Sequence, residues 1–589
     1  MPSRRGAIHV ATTRRVYKGK TYVTHLLRRS IRKGATVTHE TLGNLSHLPD
    51  HLIDIIKRSL KGETFVPAAE TFRTTRTLPH GHVEAVLTMI RKLGLEDLIA
   101  SKPSRQRQLV FAMITERLLF PSSKLANTRH WRDTTLAEEL DVVDATEHDL
   151  YDAMDWLLAR QGAIEKKLAR RHFGDGALVL YDVTSSYYEG KTCPLARFGH
   201  DRDGKTGRPI IVYGTLTDAD GRPVAVQVYP GNTADPKTVP DQVETLTKRF
   251  GLSRVVLVGD RGMLTQTQID TLKKHPGLGW VSALRSGAIR RLLADGLLIR
   301  ENLETERLAE ITSPEFPGER LMACYNPQLA EQRRHKRQEL LAATETQLKA
   351  LAASVARPGG PLQKAAEIGV RAGKIINHYK MAKHFTLTIR DQGMEWARKE
   401  DAIQKEELLD GIYVIRTSEP VERLSAADGV RSYKRLTLVE QAFRCLKGID
   451  LLVRPIYHHT AERVRAHILL CLLAYYVEWH LRQKWEPLLF EDEELALDRN
   501  RRDPVAPAKA SKSALQKKKT KLNPDGLPVH SFRTLIAHMG TRCRNTCVVT
   551  SDPKQTPFFQ VTDPDALQAE ALRLIRLVIP GKLRACILS

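Results

Sequence analysis

The 589-residue sequence lacks an apolar run long enough to cross a membrane, since the longest, Ile468–Val477, falls well short of the ~18–20 residues a span requires. No secretory leader is expected, because Arg4, Arg5, Arg14 and Arg15 crowd the first residues with no apolar stretch between them. Its seven cysteines are scattered and odd in number, which argues against a disulfide framework and for reduced thiols. A cytoplasmic protein is therefore expected. Most telling, residues 1–39 contain ten Lys and Arg but no Asp or Glu. No internal repeat is visible, which sets solenoid and array architectures aside.

What is present is charge and a large apolar fraction. Lys and Arg total 92 against 68 Asp and Glu, a formal excess of +24, while 42% of residues are hydrophobic. A folded, multi-domain chain with a polyanionic partner follows, most simply nucleic acid.

Local pattern divides the chain. Residues 1–75 read as a small basic module, with strands at Ile8–Thr13 and Lys20–Leu27 and a helix over Leu52–Leu60. Residues 76–172 repeat apolar positions at helical spacing and carry Arg107, Arg117, Arg129 and Arg132, the makings of a helical DNA-binding domain. From 173 to 290 the texture becomes α/β. Ala177–Tyr181 and Val255–Val258 are short, wholly apolar strands, and Ile210–Thr217 and Val224–Tyr229 form a hairpin through Asp220-Gly221. Pro236–Phe250 reads as helix. Residues 291–430 look like an insertion, with a charged helix over Leu329–Leu351 before Pro358-Gly359-Gly360-Pro361. Residues 431–490 hold two strong helices, Tyr433–Ile449 and Val464–Leu481. Residues 491–589 start with a basic linker containing Lys517-Lys518-Lys519 and end in a helix over Ala566–Val578.

Two carboxylates share an unusual setting. Asp182 ends the run Leu178-Val179-Leu180-Tyr181, and Asp260 follows Val255-Val256-Leu257-Val258-Gly259. An acid at the end of a buried strand costs desolvation energy unless its charge is met. If the strands are neighbours, the acids converge on one sheet edge as oxygen ligands for a hard cation. On the later helix, Tyr433, Glu440 and Lys447 recur every seventh residue and share one stripe. Leu438, Ala442, Leu446 and Ile449 lie opposite, facing a core. Arg444 shares the polar stripe.

These residues together resemble the DDE transposases of the IS4 group of insertion sequences, in particular its IS1634-type branch. Asp182, Asp260 and Glu440 resemble the catalytic triad, and Tyr433, Glu440 and Lys447 match the Y-(2)-R-(3)-E-(6)-K helix pattern. The Arg position of that pattern is Leu436 here, and Arg435, one residue earlier, points about 140° away from Glu440. The phrases Leu180-Tyr181-Asp182-Val183-Thr184-Ser185, Gly231-Asn232-Thr233-Ala234-Asp235 and Val258-Gly259-Asp260-Arg261-Gly262-Met263 resemble the same branch.

The resemblance implies a ribonuclease-H-like core with an insertion domain, and a triad binding two Mg²⁺ (or Mn²⁺) ions. It implies DNA contacts from Tyr433, Lys447, Arg444, Arg261 and Arg435. It further implies cut-and-paste movement of inverted-repeat ends by a homodimer in a bacterial, nucleoid-associated setting. A nuclease of the same fold that only cuts, or an inactive DNA-binding remnant, would share these residues.

Two further patterns are set aside. Gly199–Thr206 matches the letters of a phosphate loop, but no apolar strand precedes it, no helix follows, and Asp201 and Asp203 sit where phosphates would lie. Cys543 and Cys547, near His530 and His538, have loose spacing for zinc.

Overall fold

Apolar, β-branched runs become the strands of one large sheet. The structure, a computed structural model, describes residues 6–65, 71–357, 359–360, 362–550 and 556–576. Strands Ala177–Tyr187 (β1), Ile210–Thr217 (β2), Pro223–Pro230 (β3), Val255–Val258 (β4), Leu278–Ala283 (β5), Leu308–Ile311 (β6), Arg320–Tyr325 (β7) and Ile412–Thr417 (β8) align in the order β6-β7-β8-β5-β4-β1-β2-β3. β4 runs parallel to β1 and β5, and every other pairing is antiparallel. The molecule is thus mixed α/β around a mixed sheet.

Three helices frame the site: Ala426–Lys434 (α1), Leu436–Lys447 (α2) and Ala461–Trp485 (α3). α3 contains the longest apolar run and is buried around its whole circumference, as an all-round apolar helix must be. Helices Gly81–Lys92, Arg105–Leu119 and Glu147–Leu158 pack on it and share the core of the sheet. The chain divides into two compact units, residues 1–78 with 544–562, and residues 79–543 with 563–589. In the first, Ile8–Tyr17, Lys20–Lys33 and Thr36–Asn44 form an antiparallel sheet ahead of the helix Asp50–Ser59.

Several expectations change. The strand Thr36–Asn44 was hidden in sequence because its polar Thr, His and Glu residues are exposed on a surface sheet. Pro236–Phe250 is not one helix but a 3₁₀ turn (Asp235–Thr238), an α turn (Val239–Glu244) and a π segment (Thr245–Arg249). Residues 291–430 are only partly an insertion, because β6, β7 and β8 extend the main sheet while Pro327–Val355, Ala365–His378 and a hairpin build small cores of their own. Arg107 and Arg117 are buried, the first bonding Ala100 O and the second facing Leu451 O, so of the four arginines only Arg129 and Arg132 are exposed.

The basic stretch from 500 to 524 is folded too. Lys517 is buried and its ammonium donates to Glu486 O, Leu489 O and Glu493. The last helix runs Ala566–Arg576; Val578, Pro358, Pro361, Cys586, Arg4 and Arg5 lie outside the described residues.

The expected helix Tyr433–Ile449 breaks at Arg435, leaving Tyr433 on α1 and Glu440 and Lys447 on α2. Ala442 and Leu446 are buried as expected, and Leu438 is half-buried against the core. Ile449 is 73% exposed because α2 stops at Lys447 and the helical period no longer applies beyond Gly448.

Candidate active site

The register of two parallel strands positions the first pair of acids. β1 and β4 pair from Ala177↔Val255 to Leu180↔Val258. Asp182 and Asp260 each lie two residues beyond that last pair, so both follow the end of a ladder in which the strands run about 4.8 Å apart. β4 ends there, and the chain turns through Asp260–Leu264, with Met263 N and Leu264 N donating to Asp260 O. The turn packs closely at Gly259, where a Cβ would lie 2.9 Å from Leu264 Cγ and the Leu264 side chain would have to shift.

The third acid arrives on α2, which packs on β1 through Val439, Ala442, Phe443 and Leu446. Phe443 meets Tyr213 of β2 edge to face, with ring centroids 6.0 Å apart. The N-terminal end of α2 rests on the β2–β3 turn. There Gly221 (φ +82°) leaves no room for a Cβ under Leu438, and Arg435 donates to Ala219 O at 2.9 Å. This seating turns Glu440 to the open side, where it is exposed.

The electrostatics join the three. The Asp182 carboxyl is pushed up to about 7, first by desolvation and then by the like charges of Asp260 and Glu440, against the opposing pull of the Val183 N–H and Arg202. Although part of the residue's surface remains open, protein atoms crowd the carboxyl itself. Val183 N donates to Asp182 Oδ1 at 2.8 Å. Asp260 is exposed, and accepts from Tyr433 OH at 3.0 Å and from Gly262 N at 3.2 Å. The oxygens of the triad do not all fall within 4.8 Å of one another, so the three do not form a tight single-ion cage as they stand. Asp260 and Glu440 both act on Asp182 as like charges, and the hard oxygen donors of the three carboxylates fit Mg²⁺ or Mn²⁺.

A pH dependence follows. Asp182 holds its proton more tightly folded than unfolded, where the value is 3.8, so the stability it contributes below about pH 4 is lost as pH rises through about 7. Without divalent ions, Asp182→Asn is expected to raise the melting temperature relative to wild type by an amount that grows from about pH 4 to about pH 7 and then levels off. A difference that does not vary with pH in thermal melts contradicts the assignment.

The expected DNA-contacting residues fall into two groups. Arg261 and Arg444 are exposed, and neither side chain forms an ion pair among the described residues. Arg261 lines a cleft beside Asp260 with Arg285, Leu264, Ala288 and Phe316. Tyr433, Lys447 and Arg435 are engaged within the protein: Tyr433 with Asp260, Arg435 with the hairpin turn, and Lys447 with Asp203 at 2.8 Å.

Sequence reading passed over the segment around Asp203. The stretch that imitates a phosphate loop lies against β1 and leads into β2 without a helix. Arg202 N donates to Ser185 Oγ, and its guanidinium is held by both oxygens of Asp235. The signal was the pair of aspartates that disqualified the phosphate loop. Among the described residues the close-packed set of potential metal ligands is Cys445, Asp450 and Glu478, but Arg482 donates to both of these carboxylates and meets their charge. Cys543, Cys547, His530 and His538 form no such set.

No curated protein is significantly similar in sequence. Among solved structures, the chain is similar to the piggyBac transposase in a cryo-EM synaptic complex with hairpin DNA, at 11% identity and a TM-score of 0.28, over 75% of this chain and 87% of that one. The transposase DDE domain family matches residues 174–477, which takes in β1, the sheet, α2 with Glu440 and most of α3. That match covers just over half of the chain, and the protein belongs to the transposase DDE domain family.

Proposed function

We propose that the protein is a DNA transposase of ribonuclease-H-like fold that cuts the ends of a mobile element and joins them to target DNA, with Asp182, Asp260 and Glu440 as its catalytic carboxylates. The observation that carries this reading is that Asp182 and Asp260 each lie two residues beyond the last pair of two adjacent parallel strands, with Glu440 close enough to raise the proton affinity of Asp182. The strand order β3-β2-β1-β4-β5, three antiparallel strands followed by two parallel ones, supports the ribonuclease-H-like assignment.

The three carboxylates would hold Mg²⁺ or Mn²⁺, which supplies Lewis-acid stabilisation of the scissile phosphate and lowers the pKa of bound water. The protein's own part is to place and orient. Strand register sets the two aspartates, and the Asp260 oxygens are oriented by Tyr433 OH and Gly262 N. The guanidinium groups of Arg261 and Arg444, which form no ion pair among the described residues, would grip backbone phosphates beside the acids. Residues 1–75, with their acid-free start, would contact the inverted repeats. Pairing of two ends by a homodimer, cut-and-paste through released ends, the IS4-group and IS1634-type affiliation and a nucleoid setting all belong to this reading.

The test incubates the full chain with labelled element-end DNA, a target plasmid and Mg²⁺. Nicking at the end followed by joined product is expected. Nicked DNA that never joins identifies a nuclease that only cuts. Bound DNA that stays intact overturns the catalytic reading.

A further inference from the structure

β1 outlasts its parallel neighbour, and what fills the vacated edge is informative. β4 stops at Val258, opposite Leu180, while β1 continues to Tyr187. Past Asp182, the backbone groups on that side of β1 need new partners, since unpaired amides are costly when buried. Ile456 takes Tyr187 O and Glu189 N. Asp203 takes the amide of Tyr187: its Oδ2 accepts from Tyr187 N at 3.1 Å.

The other oxygen of the same carboxylate reaches the helix bearing Glu440. Asp203 Oδ1 accepts from Lys447 Nζ at 2.8 Å and forms an ion pair with Arg454. Arg454 in turn donates through Nε to Lys447 O at 3.2 Å, at the C-terminal end of α2. The pair is sealed from water, with the Asp203 side chain 1% exposed and that of Lys447 10%. An ammonium so placed cannot be withdrawn toward a phosphate without taking one of its two cations from a buried carboxylate, a costly change.

We infer that Asp203 is a positioning residue for the carboxylate site, a clamp that ties the strand carrying Asp182 to the helix carrying Glu440, with Lys447 as its counter-ion. Lys447 then acts inside the protein rather than on DNA. The inference rests on the proposed roles of the acids only for its catalytic consequence; the tie itself is structural.

The test uses the full chain and three variants: Asp203→Asn, Lys447→Met and the double variant. In Asp203→Asn the end-DNA cleavage rate is expected to fall at least tenfold, and the Mg²⁺ concentration for half-maximal rate to rise severalfold, with end-DNA affinity within about twofold of wild type. Lys447→Met should move both quantities in the same direction, and the double variant should be no worse than Asp203→Asn, as for residues acting through one contact.

A second readout needs no activity. By hydrogen exchange, peptides covering 182–188 and 436–447 should both lose protection in Asp203→Asn, while peptides from 81–119 remain as in wild type. If Asp203→Asn does not fold, the same paired loss is read in Lys447→Met. Wild-type rate and Mg²⁺ dependence in Asp203→Asn, additive single-variant effects, or loss of protection in one segment without the other overturn the clamp. If wild type itself binds but does not cut, the catalytic reading fails and the exchange result alone decides the clamp.

Discussion

Replacing Asp182 by Asn is expected to lower end cleavage by at least about three orders of magnitude while leaving end-DNA binding intact. At 1.36 kcal/mol per decade, that corresponds to the several kcal/mol of charge stabilisation that a carboxylate-held cation supplies. Asn preserves the side-chain shape and the acceptor for Val183 N, so the strand has no reason to shift. What it removes is a charge at the crowded position where Asp260 and Glu440 also act. Asp260→Asn and Glu440→Gln should fall to the same floor, and pairs of these changes should go no lower, because groups that act as a unit are not additive. The measurement is single-turnover nicking of labelled end DNA beside a gel-shift titration. Loss below tenfold in all three variants, with binding retained, would falsify the triad.

The largest stability effect is expected far from the acids. Arg416 on β8 presents Nε and Nη2 to the two oxygens of Glu319, each at 2.6 Å, with side chains 6% and 0% exposed. Arg416 also donates to Gln266 at 3.0 Å. Among the described residues Arg416→Met leaves Glu319 with Lys273, at 3.7 Å, and a buried charge stripped of its main partner costs about 3–5 kcal/mol. The double change Arg416→Met with Glu319→Gln should recover part of that loss, since no charge is then left unpaired. Urea denaturation followed by fluorescence checks both. Equal midpoints for Arg416→Met and wild type would show the pair to be dispensable. The consequence is architectural, because this pair sits where β7 and β8 extend the sheet beyond β5.

The two predictions differ in how far sequence could reach them. Asp182 and Asp260 stood out because their runs are apolar on both sides of the chain's alternation, and such runs become central strands wherever they fall. Glu440 stood out by helical spacing, which survives the break at Arg435 for Glu440 and Lys447 but not for Tyr433. Nothing local marked Arg416 or Glu319, since an arginine in a strand and a glutamate in a turn read as surface residues until the pairing of β7 with β8 buries them.

Lys447 shows the same limit at the site itself. Its spacing from Glu440 assigned it to a polar stripe, and the structure keeps it there. A stripe nevertheless has no partner until another segment is laid against it, and the segment is the one carrying Asp203, 244 residues earlier. The same holds for Lys517, which stands in a lysine run that reads as a solvated linker. Its ammonium is buried because three acceptors from residues 486–493 surround it.

By itself, the sequence determined the composition of the chain, its positive excess, the periodicities that become strands and helices, and the acids at strand ends. These are properties of neighbours within a few residues, where covalent geometry dictates which side chains share a face. Tertiary structure alone decided which charges are spent inside the molecule and which remain free. It committed Lys447, Arg435, Arg416 and Lys517 to internal partners and left Arg261 and Arg444 exposed, without an ion pair among the described residues. The physical reason is that a charge is free or compensated according to what lies within a few ångströms of it. For a carboxylate and an ammonium hundreds of residues apart, only the packed fold sets that distance.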